Sequence, residues 1–319
     1  MNLIKYRFYD YIFYNLGVIG SIIAQKYEKN GDHALILEKN REFGINRRCG
    51  NYIEKDFLKK IDLDDISQII QAETNELIYF NAENQETSSQ KREILILDPR
   101  LFEKLIATKA ALSGVDIKIN SRIKSLNNQN KNIKSILIKS FKDKRIIKIG
   151  HLISGSIIGQ EKFIINNKST ESKIYTTQYE IYSPKFCSSD CFSIYKFQNP
   201  PGLIMVFPTL RNNFYVWQIG RLNKLKIEEF LKDFLKIRDY SIISINYQEF
   251  NQKTHSINNQ YLNHLIIGAE NGLINPNKHH YLMTRIEMGI FISNMLKKGT
   301  IFLPKSEKNY WNKFIPILI

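Results

Sequence analysis

The residues best suited to chemistry lie near the N-terminus, where Asn15, Gly17 and Gly20 form an N-x-G-x-x-G run. In the glycine-rich turn that binds dinucleotides, the first glycine allows the bend, the second lets the backbone approach the pyrophosphate, and the third lets helix and strand pack closely. Gly17 and Gly20 meet the last two requirements, and asparagine tolerates a positive φ better than most non-glycine residues. A loop that simply needs two glycines would show the same run. The segments on either side therefore decide between a dinucleotide-binding turn and an ordinary loop.

An acidic residue stands where a dinucleotide site requires one. Glu38 ends an apolar run and follows Gly20 by 18 residues. At the end of the second strand of a βαβ unit, a carboxylate can accept hydrogen bonds from both hydroxyls of a ribose. The glycine run and the acid together predict a dinucleotide-binding site.

The segments around the run have the pattern of a strand, a helix and a second strand. Residues 8–14 (FYDYIFY) are aromatic and β-branched, as is typical of a buried strand. Apolar residues then recur at helical spacing over residues 19–27, Asn30-Gly31 is a helix stop, and residues 33–37 form another apolar run. This order predicts an α/β fold with a Rossmann-like, mostly parallel sheet.

Later segments predict a second layer and then a return to the first sheet. Asp98-Pro99 favours a helix start, because aspartate caps helices and proline suits the first helical position. Short β-like runs between about residues 160 and 260 predict an inserted antiparallel sheet. The predicted domains are a dinucleotide-binding part (1–158), an inserted antiparallel β substrate domain (159–258), and a second dinucleotide-binding part with a C-terminal extension (259–319).

The composition describes a folded, basic chain of 319 residues with 43% hydrophobic residues and a net charge of +15. Lysines are scattered singly rather than clustered, so we expect no specific nucleic-acid surface. Association with nucleic acid through net charge alone is a weaker third option, after the two functions considered at the end of this subsection. Weak contact with anionic lipid headgroups is the more plausible consequence of the charge. Three cysteines and strand-length apolar runs predict a cytoplasmic protein that is soluble or peripheral at the membrane.

Other chemistry-bearing groups do not form a recognisable site. Cys187 and Cys191 have i, i+4 spacing but no second ligand pair follows them, and His279-His280 is typical of a surface loop. We therefore expect no metal site. The sequence has no nucleophile elbow or phosphate-loop lysine motif, and it assigns no catalytic residue.

Several motifs in order resemble the geranylgeranyl reductase family of flavin-dependent reductases. Residues 9–53 resemble its glycine-rich turn, its strand end at Glu38-Lys39 and its Cys49-Gly50 turn, and LDPRLFEKLIATKA is similar to its Asp-Arg-x-x-Phe-Asp helix start. NPPGLIMVFPTLRNNFYVWQIG is similar to the segment that lines the family's substrate cavity. LIIGAENGLINP resembles the second flavin motif.

The resemblance implies an FAD-dependent oxidoreductase that reduces carbon-carbon double bonds of isoprenoid lipid chains. The cavity would be lined by Phe207 and Pro208. Contacts with FAD are implied for Asn15, Gly17, Gly20, Glu38, Lys39, Cys49, Gly50, Arg100, Ile123, Gly268, Glu270 and Pro276.

Departures from the family pattern support a second hypothesis. Ala269 replaces the aspartate of the second flavin motif, residues 278–281 (KHHY) replace a glycine run, and Gly155-Ser156-Ile157 replaces an Ala-Asp-Gly turn. A non-catalytic homologue that has lost FAD and binds a lipid or a protein partner would show the same changes. The sequence leaves the substrate, the electron donor and the oligomeric state open.

Overall fold

The computed structural model describes most of the chain between residues 7 and 297. The described residues are 7–28, 31–45, 52–61, 63, 66–83, 85, 87–141, 143–155, 172–184, 186, 191–198, 201–209, 212–220, 226–252, 262–267 and 281–297. The domain boundaries given above fall partly outside them and stay a prediction.

These residues form fifteen strands, four α-helices and two short 3-10 helices. In chain order the elements are β1 (Phe8–Tyr14), α1 (Val18–Glu28), β2 (Ala34–Leu37), β3 (Tyr52–Glu54), 3-10 helices at Lys55–Ile61 and Ser67–Ile69, β4 (Ile70–Asn81), β5 (Thr87–Leu97), α2 (Pro99–Leu112), β6 (Asp116–Lys118), β7 (Arg122–Gln129), β8 (Asn132–Lys139), β9 (Lys144–Ser154), β10 (Ser172–Tyr182), β11 (Cys191–Phe197), β12 (Gly202–Pro208), β13 (Asn213–Gly220), α3 (Ile227–Asp233), β14 (Ser241–Gln252), β15 (His264–Ile266) and α4 (Tyr281–Lys297).

The first sheet is the predicted Rossmann-like layer. Its order is β6-β2-β1-β9-β8-β7, and β15 also pairs with β9. The pairs β2·β6, β1·β2, β1·β9 and β9·β15 are parallel, whereas β8 pairs antiparallel with β7 and β9. The mostly parallel core of the sheet therefore places the carboxyl ends of β1, β2, β9 and β15 along one edge.

The two faces of the first sheet are both covered. One face packs on the buried stripe of α1 and on α4, through residues such as Phe13, Ile19 and Ile292. On the other face, the β7-β8-β9 meander covers the strands through Ile123, Ile136 and neighbouring apolar residues. The parallel strands are buried on both sides, which explains why the sequence of β1 is a nearly continuous apolar run. Within the described ranges, no helix is long and apolar enough to cross a membrane.

The second sheet has eight strands in the order β14-β10-β13-β12-β11-β4-β5-β3. Every pair given for it is antiparallel except β4·β11. The sheet takes strands from residues 52–97 as well as from 172–252, so it is not confined to the predicted inserted segment. The polar start of β5 (TSSQKR) is exposed and gives no hydrophobic alternation, which is why the sequence does not reveal this contribution.

Helix α2 begins as its sequence predicts. The Asp98 side chain accepts hydrogen bonds from the backbone N–H groups of Arg100 (2.8 Å) and Leu101 (2.9 Å), and Pro99 occupies the first turn. The cap satisfies two N–H groups that have no helical partner. It fixes the position from which Arg100 and Glu103 project.

Candidate dinucleotide site

The glycine run forms a tight turn between β1 and α1, as predicted. Asn15 has φ 54° and Gly17 has φ 52°, so the two positions that need a left-handed backbone are occupied by the residue types that tolerate it. The Gly17 carbonyl accepts from the Ser21 N–H at 3.0 Å and starts the helix. The first N–H groups of α1 thus point out of the carboxyl end of the sheet, in the arrangement that binds phosphate groups.

Two glycines let the backbone close around this turn. A Cβ at Gly20 would lie 2.8 Å from Leu16 Cβ and 3.4 Å from Phe13 Cβ, which is the helix-on-strand contact expected of the third glycine. A Cβ at Gly155, just after β9, would lie 2.3 Å from the Asn15 carbonyl oxygen. The Gly155 N–H also donates to the Tyr14 carbonyl at 2.9 Å. The turn is therefore held between α1 and the end of β9.

Glu38 lies beside the turn. β1 and β2 are parallel neighbours with Tyr14 opposite Leu37, and the Asn15 N–H donates to the Leu37 carbonyl at 2.9 Å. The Glu38 side chain is 3% exposed, and its Oε1 accepts from the backbone N–H (3.0 Å) and side-chain amide (2.8 Å) of Asn40. Lys39, the next predicted contact residue, is half-buried. The acid and the glycine turn thus meet, as the sequence predicts.

A tyrosine contributes to this corner that the sequence did not single out. Burial raises the pKa of Tyr14, and its phenol lies near Arg122, near Glu38 and within hydrogen-bond reach of the Ile123 backbone. Ile123 itself is buried under the first sheet. Its backbone therefore lies in the same corner as Glu38. The sequence signal that could have identified Tyr14 is its position: an aromatic residue with a hydroxyl group at the end of a strand, directly before a glycine turn.

Arg100 lies at the loop that follows Glu38. Its guanidinium pairs with Glu42, and the Lys104 ammonium lies 2.7 Å from the other oxygen of the same carboxylate. Hydrogen bonds from Arg100 and then Lys104 lower the pKa of Glu42 to about 2. A contact between Arg100 and FAD stays a prediction, and the structure shows that such a contact would compete with Glu42.

A buried ion pair connects three elements around the same loop. Glu103 on α2 accepts from the Gly44 N–H at 3.0 Å and from Arg285 Nη1 on α4 at 3.1 Å. The two side chains are 4% and 6% exposed. Arg285 is buried on α4, and no local sequence pattern identifies its partner. The pair fixes the loop of residues 39–45 against both helices.

Phe207 and Pro208 do not lie on the same face of the second sheet. We call the face that bears Phe207, Met205 and Trp217 the inner face, because these residues share a core with α1 and α4. Pro208 is paired with Phe214, which belongs to the outer face covered by α3. Neighbouring side chains in a strand point to opposite faces, so these two residues cannot line one cavity together. Phe207 lies on the inner face, and its contact with a substrate stays a prediction.

The remaining predicted contact residues lie outside the described ranges. They are Cys49, Gly50, Gly268, Glu270 and Pro276. Ala269 and the residues 278–280 that depart from the family pattern lie there as well. Their roles stay predictions.

His264 on β15 gives a prediction for the pH dependence of stability. Its Nε2 lies 2.8 Å from the Ser154 Oγ, and burial lowers its pKa to about 4. His264 takes up a proton near pH 6.5 in the unfolded chain but only near pH 4 in the folded chain. Its contribution to the free energy of unfolding is therefore fully present above pH 6.5 and is lost as the pH falls to 4. We expect a loss of about 3 kcal/mol across this window. Urea unfolding at pH 7 and pH 4 measures it.

The matched variant His264→Gln isolates this contribution, because the half-buried His151 is unchanged. The variant is expected to lose less stability than the parent between pH 7 and pH 4. An equal loss in both proteins would contradict the assignment to His264.

The fold and the site together define a class of protein, in which a Rossmann-like layer bears a glycine turn beside a buried carboxylate and packs on a large second sheet. No family model matches the sequence. A digeranylgeranylglycerophospholipid reductase of Methanococcus vannielii is 22% identical over 235 residues, which cover 71% of the chain and 59% of that protein. A second such reductase, from Methanosarcina acetivorans, is 29% identical over 122 residues, which cover 37% of the chain and 30% of that protein. The chain spans less than two thirds of the length of these relatives.

Solved structures share the fold over nearly the whole chain. A geranylgeranyl bacteriochlorophyll reductase-like protein of Thermoplasma acidophilum has a TM-score of 0.74 at 17% identity, covering 96% of the chain and 82% of that protein. A flavoprotein/dehydrogenase of Cytophaga hutchinsonii has a TM-score of 0.68 at 15% identity, with coverages of 96% and 82%. The resemblance to the geranylgeranyl reductase family and the predicted fold class are confirmed.

Proposed function

We propose that the chain is an FAD-dependent oxidoreductase of the geranylgeranyl reductase type, which reduces carbon-carbon double bonds of an isoprenoid chain. The observation that carries the proposal is the glycine turn of residues 15–20 placed directly beside Glu38 at the carboxyl edge of two parallel strands. The similar proteins are named as reductases of geranylgeranyl lipids and as flavoproteins, which supports the cofactor and the substrate class.

The described residues fit the dinucleotide half of FAD. Gly17 carries no side chain that would stand between its backbone and a diphosphate, and the first N–H groups of α1 would hold that group. The Glu38 carboxylate would accept hydrogen bonds from the adjacent ribose. When bound, FAD would supply the hydride for the reduction, and the chain's share is to hold the reactants and exclude water.

The location of the protein follows from the same proposal. We propose a cytoplasmic protein that touches the membrane peripherally, because an isoprenoid lipid substrate resides there and the net charge of +15 favours anionic headgroups. The competing candidate is a homologue without FAD that binds a lipid or a protein partner. It is motivated by Ala269 at the position of the family's aspartate.

Titration with FAD, followed by flavin absorbance and fluorescence, tests the proposal. The wild-type chain is expected to bind FAD, and Glu38→Ala is expected to weaken binding about tenfold to a hundredfold, because hydrogen bonds to a charged group contribute about 1.5–3 kcal/mol. The matched control Glu73→Ala removes an exposed carboxylate of β4 and should leave the affinity unchanged. A wild-type chain that takes up no FAD would favour the competing candidate.

A further inference from the structure

The inner face of the second sheet carries a group of buried polar atoms that have no hydrogen-bond partner among the described residues. They are both side-chain amide atoms of Gln178, the hydroxyl of Thr176, the indole Nε1 of Trp217 and the Nδ2 of Asn246. Gln178 is 3% exposed, Thr176 is 1% exposed and Trp217 is fully buried. We call these four residues the polar cluster.

The strand register places the polar cluster in one spot. Gln178 on β10 lies directly opposite Trp217 on β13 and opposite Asn246 on β14. Side chains opposite each other in antiparallel strands have their Cβ atoms about 4.5–5.5 Å apart. Thr176 lies two residues from Gln178 and therefore on the same face. All four side chains converge from three adjacent strands.

The energetics argue against a purely structural role for the polar cluster. A buried donor or acceptor without a partner costs about 1–3 kcal/mol, and native proteins keep few of them. Five such atoms in one place would be a large penalty with no structural return. Apolar side chains would fill the same positions more favourably. The five atoms therefore need partners that the described chain does not supply, and a bound ligand can provide them.

The surroundings define the chemistry of that ligand. The cross-strand neighbours of Gln178 and Thr176 are uncharged: Trp217, Asn246, Ile219 and Gln248. Glu180, two residues from Gln178 on the same face, accepts a hydrogen bond from the Ser244 hydroxyl at 2.9 Å, and its carboxylate would repel an anionic group. Farther across the inner face the residues are apolar, and Met205, Phe207 and Phe192 belong to the same buried cluster as Trp217. An acceptor oxygen would meet the N–H donors of three residues. A hydroxyl could also donate to the Gln178 amide oxygen.

We propose that the polar cluster binds an uncharged hydroxyl or carbonyl group of an otherwise apolar substrate chain. This inference rests on the proposed function, because it specifies the substrate of the same second sheet. It predicts a preference for a neutral oxygen-bearing polyprenyl molecule over a plain hydrocarbon, which would leave the donors unpaired. It also predicts discrimination against a charged headgroup, which these neutral residues would not compensate on burial.

Tryptophan fluorescence can test the inference without enzyme activity. The chain has two tryptophans, so the Trp311→Phe background leaves Trp217 as the sole reporter within the polar cluster. Three probes are titrated: geranylgeraniol, geranylgeranyl diphosphate and the hydrocarbon squalene. Geranylgeraniol is expected to bind about tenfold or more tighter than either of the others, since one hydrogen bond to a buried group contributes about 1–3 kcal/mol.

Two variants of the polar cluster and one control complete the test. Gln178→Leu and Thr176→Val should remove most of the preference for geranylgeraniol and should raise the temperature of unfolding, because unpaired buried polar atoms are lost. Thr177→Val, on the opposite face of β10, should leave the preference unchanged. Lower thermal stability in both cluster variants would show that the polar atoms support the fold and would overturn the inference.

The outcomes separate this inference from the proposed function. Equal binding of geranylgeraniol and squalene, or tightest binding of the diphosphate, overturns the inference even if FAD is bound. A clear preference for geranylgeraniol in a chain that takes up no FAD supports the polar cluster and contradicts only the redox role.

Discussion

Replacing Glu103 with alanine is expected to lower the free energy of unfolding by about 3–5 kcal/mol, because it leaves the Arg285 charge buried without this carboxylate. Glu103 also accepts from the Gly44 N–H, so the loop of residues 39–45 loses its anchor on α2. Because that loop begins next to Glu38, affinity for FAD should fall as well. Urea unfolding and FAD titration of the same protein measure the two effects.

The double variant Glu103→Leu/Arg285→Met is the control for this prediction. It removes both charges and keeps similar apolar volume, so much of the lost stability should return. A double variant as unstable as the sum of the two single variants would show that the pair does not act as a unit.

Replacing Gly155, the residue after β9, with alanine is expected to disturb the dinucleotide turn more than a substitution of comparable size on β9 itself. The new Cβ would be 2.3 Å from the Asn15 carbonyl oxygen, a backbone atom that can move only if the turn moves. We expect a loss of about 1–3 kcal/mol in stability, as for overpacked sites, together with at least a tenfold loss of FAD affinity. Titration of FAD into the folded variant measures the second effect.

Gly150→Ala is a matched control on the same strand. Its Cβ would be 2.7 Å from the Asp10 carbonyl oxygen, so it overpacks the same pair of strands at the end that is remote from the turn. It should cost comparable stability and leave FAD affinity nearly unchanged. An equal loss of FAD affinity in both variants would mean that the effect is a general consequence of destabilisation.

The local elements of the dinucleotide site could be predicted from the sequence because each has a local cause. The strand FYDYIFY is observed as Phe8–Tyr14, the turn falls at Asn15 and Gly17, and Asp98 caps α2. The carboxylate of Glu38 meets the turn because adjacent parallel strands end at the same edge. Periodicity, turn chemistry and capping act within a few residues and are visible in a single sequence.

The parts that could not be predicted depend on contacts between distant segments. Arg285 meets Glu103 across 182 residues, and no local pattern marks that pair. β4 joins the second sheet by pairing with β11, and β5 joins it by pairing with β4, so their contribution does not follow from their own alternation. β9 pairs with β8 through its first half and with β1 through its second half.

The arrangement of side chains on the second sheet could not be predicted from the sequence either. The motif that carries Phe207 and Pro208 identifies the strand, but only the register shows that Phe207 shares a face with Gln178 and Trp217. The polar cluster comes from β10, β13 and β14, and its members are unremarkable in the sequence. They stand out because they are buried together without hydrogen-bond partners in the part of the chain that the structure describes.

Hydrogen exchange of the backbone N–H groups of residues 16–21, measured with and without FAD, tests most directly whether the glycine turn holds the dinucleotide. The account predicts that bound FAD slows exchange at the start of α1, while residues 241–247 on the distant edge strand β14 are unaffected. Unchanged exchange at residues 16–21 in a sample whose absorbance shows bound flavin would contradict it.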